Sequence, residues 1–134
     1  MTINLKNFLS LNNKTSKMGD FQELKDIEGL QVSAVSADLY KNGRDDLSLF
    51  YFPEGSNHAV AYTKSSIVSE SINWNKKSTK SNIKALVVNT KNANTFTGEQ
   101  GLNGLDEVAK TLLESLKKLE NDNGYEKTKV KDIL

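Results

Sequence analysis

Three side-chain amides, Asn89, Asn92 and Asn94, and two hydroxyls, Thr95 and Thr97, crowd into the stretch VVNTKNANTFTG at residues 87–98. Each amide is at once donor and acceptor, so such a cluster can hold and orient hydrogen-bonding groups. The residues on either side place it. Ile83–Val88 is a short unbroken apolar run, the pattern of a strand buried on both faces, and Thr97 and Gly98 lead toward a helix. The same amides can equally satisfy the turn's own backbone, as Asn side chains commonly do. Asn89, Asn92, Asn94, Thr97 and Gly98 are therefore the candidate site residues, with a structural role and a pocket-supporting role both open.

Other chemistry is thinly represented. Asp45 and Asp46 are adjacent carboxylates beside Arg44, and paired acids suggest metal binding or acid–base work. Neighbours on a strand point to opposite faces and do not readily converge on one ion, which favours a charge pair with Arg44. Loss of Met1 would expose Thr2, whose amine could act as base for its own hydroxyl. No base or oxyanion donor stands near it in sequence, so catalysis there is not expected. His58 is the single histidine and reads as an ordinary polar residue after the turn at 54–57. Cysteine is absent, which excludes disulfides, thiolate catalysis and Cys-based metal sites. No metal or cofactor is expected.

Residues 87–98 resemble the VNSGNAN-x-x-TG signature of the glutamate N-acetyltransferase family, also called the ornithine acetyltransferase family. Thr90 and Lys91 stand where that family usually has Ser and Gly. Lys41–Leu49, KNGRDDLSL, is similar to the family's G-R-x-D-L-A-L strand entry, and the likeness continues through Gln100, Gly101 and the helix after them. From about Ile27 onward nearly every element has a counterpart in order. The resemblance implies an α/β fold, a mixed β-sheet with covering helices like the N-terminal part of the ornithine acetyltransferase fold. It also implies transfer of acetyl from N-acetylornithine to glutamate in arginine synthesis, through an acetyl-threonine intermediate whose oxyanion is stabilised by preorganised donors. Some members also use acetyl-CoA. On this resemblance the Asn amides and the Thr97 hydroxyl would support or line the acyl pocket. Lys91 is the informative departure, because a side chain in place of glycine discourages a left-handed backbone.

Two family motifs do not occur in these residues. One is the A-T-M-L-like sequence at which the precursor cuts itself to free the nucleophilic threonine. The other is an S-T-G-V-I-G-like turn that follows a strand shortly after the helix ending near Glu120, and KDIL at 131–134 falls about where that strand would begin. The expectation is the N-terminal portion of such an enzyme, inactive by itself. Its partner would be the remainder of the enzyme, and N-acetylornithine and glutamate are the family substrates. The alternative is a non-catalytic binding or assembly module derived from the same family. Either form must cover the sheet face or edge that the remainder would bury, so an oligomer is expected.

Composition bounds the other partners. A chain of 134 residues fits one domain with one core. Its 18 basic and 17 acidic side chains nearly cancel, so no field draws nucleic acid or an acidic membrane. No apolar run reaches the ~20 residues that span a bilayer. Met1–Ser10 is interrupted by Asn4 and Asn7 and lacks a small-residue cleavage site, unlike a secretory signal. A cytoplasmic location is expected.

The elements that must position the amides follow from periodicity. Residues 1–19 read as a mobile N-terminal arm or edge element, and 20–134 as a single α/β domain, incomplete relative to the family. Asp20–Glu28 has helical spacing at Phe21, Leu24 and Ile27. Leu30–Leu39 and Asp46–Phe52 alternate as strands around Asn42-Gly43, the strongest hairpin signal in the chain. Pro53–Asn57 reads as a turn, Ala59–Tyr62 as a third strand, Ile67–Ile72 as a short helix or strand, and Lys76–Ser81 as a solvated loop. From Leu105 to Glu120 the apolar positions Leu105, Val108, Ala109, Leu112, Leu116 and Leu119 share one helical side. Asp106 and Glu107 would sit at its positive end, Lys117 and Lys118 at its negative end, and Asn121–Gly124 would stop it.

Overall fold

Side-chain alternation builds one antiparallel sheet in the order β1 (Gln31–Val35), β2 (Leu47–Asn57) and β3 (Asn82–Asn89). The structure is a computed structural model that describes residues 26–41, 43–78 and 82–134. Helix α1 (Glu70–Ser78) joins β2 to β3, helix α2 (Gly98–Asn123) follows β3, and a short 3-10 turn spans Val130–Asp132. The arm expected at 1–19 lies outside the described residues, as does most of the helical stretch expected at 20–28.

Register decides which face is covered. Tyr51 pairs with Ala85, and Leu49 pairs with Val87, so these four share one side. Tyr51 and Ala85 form the core with Trp74, Ala109, Leu116 and Ile133, and Leu49, Val87, Leu102, Leu105, Leu112, Leu113 and Leu119 pack around it. Burying each leucine contributes about 1.5–3 kcal/mol. Val32, Phe50 and Leu86 align across the three strands on the opposite side and are only half-buried. The strand at 83–88 was expected to be buried on both faces. That holds for Ile83–Ala85 but fails at Val88, which is 41% exposed.

Several sequence expectations are corrected by tertiary bonding. β1 ends at Val35 and not at Leu39, because the buried Asp46 carboxylate captures the backbone that follows. Ala37 N–H donates to its Oδ1 at 2.6 Å, and Leu39 and Tyr40 N–H donate to its Oδ2 at 2.8 and 3.2 Å. With Val35 opposite Leu47, residues 36–46 form a long connection. Gly43 keeps its positive φ of 69° inside that connection and not in a tight hairpin. β2 runs on through Pro53 to Asn57. Its ladder to β3 breaks between Tyr51 and Ser56, where proline has no N–H to give. No strand forms at 59–62, where Ala59, Val60 and Ala61 are exposed, because β3 takes the edge of β2. Residues 76–78, expected in a loop, belong to α1.

Helix α2 begins well before Leu105, with Thr97 as N-cap. Its first turn holds Glu99, while Asp106 accepts a 2.8 Å bond from Trp74 Nε1 and so couples the two helices. Lys117 and Lys118 fall short of the last turn, which contains no basic residue. Val108, expected on the apolar side, is 50% exposed. The predicted stop is where Gly124 adopts φ 69°, and Tyr125 N–H returns to Glu120 O at 2.9 Å.

Glu120 itself is 2% exposed. Its Oε1 accepts from Tyr51 Oη (3.1 Å), Thr128 N–H (3.0 Å) and Thr128 Oγ1 (2.5 Å), so the buried carboxylate is well supplied with donors. Burial, then the charge and hydrogen bond of Glu120, push the Tyr51 phenol up to about 12. Beyond Thr128 the chain returns to the sheet. Ile133 bridges Ala85 in parallel, Leu134 N–H donates to Ala85 O at 2.9 Å, and Val87 N–H donates to Leu134 O at 2.8 Å. The sheet is thereby mixed at its β3 edge, at the place where a further strand was expected.

Candidate functional site

β3 delivers the amide-rich turn to the end of the sheet, and two loops converge there. Thr90 N–H donates to Asp46 O at 2.9 Å, which ties the turn to the 36–46 connection. Asn89 Nδ2 reaches Asn92 O at 3.5 Å and closes the turn loosely. Lys91 lies at φ 70°. The left-handed backbone natural to glycine is thus adopted by lysine, at a cost of about 1–2 kcal/mol. Its Nζ sits 4.9 Å from the centre of the Tyr40 ring, and Arg44 Cζ lies 5.0 Å from the same centre.

Asn94 is the hub of the second half of the turn. Its carbonyl accepts Glu70 N–H at 2.7 Å, its Nδ2 donates to Gly101 O at 3.3 Å, and its Oδ1 accepts from the Thr97 hydroxyl. An antiparallel bridge between Ser69 and Thr95 fastens the same segment to the start of α1. Gly101 N–H donates to Thr97 O at 3.3 Å, and any Cβ on Gly101 would collide with Thr97 Oγ1 and Asn94 Oδ1. Asn94, Thr97 and Gly101 thus form one packed unit joining β3, α1 and α2. Because its hydroxyl bonds Asn94, Thr97 caps α2 without a side-chain cap bond. Phe96, between them, is 82% exposed and has φ 60°. A bulky residue in that region is strained, and such strain clusters at functional sites.

Of the five candidates, the structure brings Asn94 and Thr97 into contact. Asn89 and Asn92 are exposed and meet only at the turn's own closure, and Gly98 opens α2 at φ 56°. The Asp45–Asp46 pair divides as expected of neighbours: Asp45 is exposed and Asp46 is 2% exposed. Burial alone would push the Asp46 carboxyl up, but N–H bonds from Ala37, Tyr40 and Leu39 outweigh it and hold the group below the usual carboxylate range. Asp46 is committed to backbone capture, and Arg44 stacks on Tyr40. His58 Nδ1 is buried without a hydrogen-bond partner. Among the described residues, no group of three or more His, Asp or Glu side chains is placed to hold a metal, and no helix is long and apolar enough to cross a membrane. An open depression of about 500 Å³ lies along the first turns of α2, lined by Glu99, Gln100, Asn103, Gly104 and Glu107. None of the five candidates lines it.

Comparison with known proteins bears directly on this turn. The model of the ArgJ family matches residues 31–129, which includes the turn, the Asp46 connection and all of α2. The chain belongs to the ArgJ family. The arginine biosynthesis bifunctional protein ArgJ of Caulobacter vibrioides is 33% identical over 93 residues, 66% of this chain and 23% of that protein. Its counterpart in Gluconobacter oxydans is 36% identical over 88 residues, 65% of this chain and 21% of that protein. The chain therefore spans about a quarter of the length of the curated ArgJ proteins it matches. Two solved structures share the fold. Ornithine acetyltransferase from Mycobacterium tuberculosis, crystallised with ornithine, superposes with a TM-score of 0.66 at 21% identity, covering 79% of this chain and 53% of that one. ArgJ from Bacillus halodurans gives 0.56 at 19% identity, covering 76% and 50%. The ArgJ likeness read from VVNTKNANTFTG and KNGRDDLSL, and the mixed α/β arrangement it implied, are both borne out.

Sequence reasoning missed Gly101 as a member of this ArgJ turn and missed the Ser69–Glu70 anchor. A glycine inside a helix is itself a signal of close packing. Nothing local in the sequence marks Ser69 or Glu70.

Proposed function

We propose that this ArgJ-family chain supplies the front scaffold of a glutamate N-acetyltransferase, which moves acetyl from N-acetylornithine to glutamate through an acetyl-threonine. The nucleophilic threonine and the oxyanion turn come from the remainder of the enzyme, as a continuing or separate polypeptide. The observation that carries the reading is the direction of the C-terminal residues. Ile133 and Leu134 lie parallel to β3 on its open edge, so a polypeptide continuing in that register runs along β3 toward Asn89. The turn after such a strand then meets the Asn94–Thr97–Gly101 unit, which holds it in place. In this role Asn94 and Thr97 are positioning residues. Their polar groups are already committed to one another, to Gly101 and to Glu70, and supply rigidity close to the reacting carbonyl.

The 134-residue chain should transfer no acetyl from N-acetylornithine to glutamate, and detectable transfer would refute this division of labour. A longer polypeptide carrying both missing motifs should be active. In it, Asn94→Ala should lower kcat by about 10-fold to 100-fold, the scale of a misplaced reacting group, and an unchanged kcat would remove the turn from the mechanism.

A second reading, a non-catalytic assembly module, is favoured by the half-buried row Val32, Phe50 and Leu86 on the side of the sheet away from Tyr51 and Ala85. Such a row invites a covering layer. Light scattering separates the readings: a discrete stable oligomer of the chain alone supports assembly, and a monomer that gains a partner only with the remainder supports the enzyme scaffold.

A further inference from the structure

We propose that the outward face of α2 near its start is a docking site for residues 1–19 of the same chain. One row of that helix is left open. Gln100, Gly104 and Val108 recur every four residues and so stand above one another, and all three are exposed. Gly104 has no atom within 4 Å of where a Cβ would stand, and the open depression of about 500 Å³ beside it is lined by Glu99, Gln100, Asn103 and Glu107. Phe96 heads the row. An apolar residue just before an N-cap often packs on the fourth residue of its helix, but here that residue is Gly101, which offers no side chain. Phe96 is instead 82% exposed at φ 60°, a bulky ring held outward on a strained backbone.

Charge names the occupant. Residues 98–109 carry Glu99, Asp106 and Glu107 and no basic residue. Asp106 is engaged by Trp74 Nε1, while Glu99 and Glu107 have no ion-pair or hydrogen-bond partner among the described residues. Their two full charges outweigh the roughly half positive charge at the helix start. The face therefore calls for a segment that is apolar, cationic and free of acids. Residues 1–19 meet that description, with Lys6, Lys14 and Lys17, no Asp or Glu, and Ile3, Leu5 and Phe8 among their apolar members. The acid-free stretch at 71–98 is already built into α1, β3 and the turn. A second copy presenting this same face would set carboxylates against carboxylates. Reach is not limiting: from Asp26 back to residue 19 the chain can extend to roughly 25 Å at 3.3–3.6 Å per residue, against a radius of gyration of about 13 Å for a 100-residue domain. Residues 1–19 precede the stretch 31–129 that matches the ArgJ family, and the docking stands whether or not the chain takes part in acetyl transfer.

The test is paramagnetic relaxation NMR on the full chain, which has no native cysteine to compete for a spin label. A label on Lys110→Cys, one turn beyond Glu107, should broaden the amides of residues 3–17 more strongly than a label on Lys118→Cys, about 12 Å further along the helix. The broadening should vanish when the spin-labelled and isotope-enriched chains are separate molecules in one sample. Glu99→Lys with Glu107→Lys should abolish the preference for the Lys110 label, and adding Lys6→Glu, Lys14→Glu and Lys17→Glu should restore it. Phe96→Asn, which removes the ring and tolerates the backbone, should weaken it. Should the lysine pair melt lower than the parent, Glu99→Gln with Glu107→Gln takes its place and should also weaken the preference. Equal broadening from the two labels, broadening between separate molecules, a preference unchanged by the Glu99 and Glu107 changes or by Phe96→Asn, or no restoration by the exchanged charges would overturn the site.

Discussion

Gly101 and Gly104 lie one turn apart in α2, and replacing each with alanine should move stability in opposite directions. On backbone grounds both substitutions gain, since alanine in a helix is favoured over glycine by about 1 kcal/mol. Gly104 has nothing within 4 Å of where a Cβ would stand, so Gly104→Ala should realise that gain. Gly101 differs, because a Cβ there would overlap Thr97 Oγ1 and Asn94 Oδ1 and come within 2.8 Å of Thr97 Cβ. Relief requires opening the Thr97–Asn94 bond and the 3.3 Å bond from Asn94 Nδ2 to Gly101 O, at about 1 kcal/mol each, with a further ~1–3 kcal/mol of overpacking. Set against the propensity gain, Gly101→Ala should lose about 2–4 kcal/mol, a fall in Tm of about 6–16 °C. Urea denaturation followed by fluorescence of Trp74, the single tryptophan and only 8% exposed, reads both variants on one scale. A Gly101→Ala protein as stable as its parent would show that the turn yields freely and that the three residues are no rigid unit.

Three further outcomes follow from the buried polar groups. Glu120→Ala strips the acceptor from Tyr51 Oη, Thr128 N–H and Thr128 Oγ1 and should cost about 3 kcal/mol or more, whereas Glu120→Gln, which keeps an acceptor, should cost about 1 kcal/mol; chemical denaturation measures both. The Tyr51 phenol, raised from 10.0 to about 12 in the fold, contributes stability that is whole below pH 10 and is lost as pH rises through about 12. Tyr51→Phe should flatten that alkaline limb in thermal melts, and an unchanged limb would refute the assignment. Asp46 has the opposite sign: its carboxyl is depressed below 3.8, so its contribution is whole above that value and fades as pH falls through the folded one. Asp46→Asn should remove this acid limb and lower the melting temperature above it, where the ionised carboxylate contributes in full.

The legible parts of this molecule were those set by periodicity and by local turn chemistry. The apolar run at Ile83–Val88 became β3, the leucine spacing became the core side of α2, and Gly124 stopped that helix. Long-range bonding accounts for what was missed. β1 stops at Val35 because Asp46 binds the backbone of Ala37, Leu39 and Tyr40, which no local propensity encodes. The missing strand at 59–62 follows from pairing: β2 already has β3 as its neighbour, and Ala59–Ala61 have no face to bury. Asp106 read as a helix-end charge because α2 seemed to start at Leu105, when its true start lies at Gly98 and Asp106 serves Trp74. In the candidate site, residue types located the turn but not its inner contacts. Asn94 and Thr97 could be named from composition, while Gly101 and Glu70, which complete their bonding, come from other elements.

The return of the chain to β3 bears on the order in which this molecule can form during synthesis. Ile133 is a core residue, 3% exposed, and bridges Ala85. While the ribosome still holds the segment around residue 133, the strands and α2 can assemble, yet the hydrophobic centre lacks one wall. Closure of the core therefore waits until the segment around residue 133 has left the ribosome. At about 5–20 residues per second, the nascent chain spends seconds with that wall open, a window in which chaperones that bind exposed apolar strands would engage it.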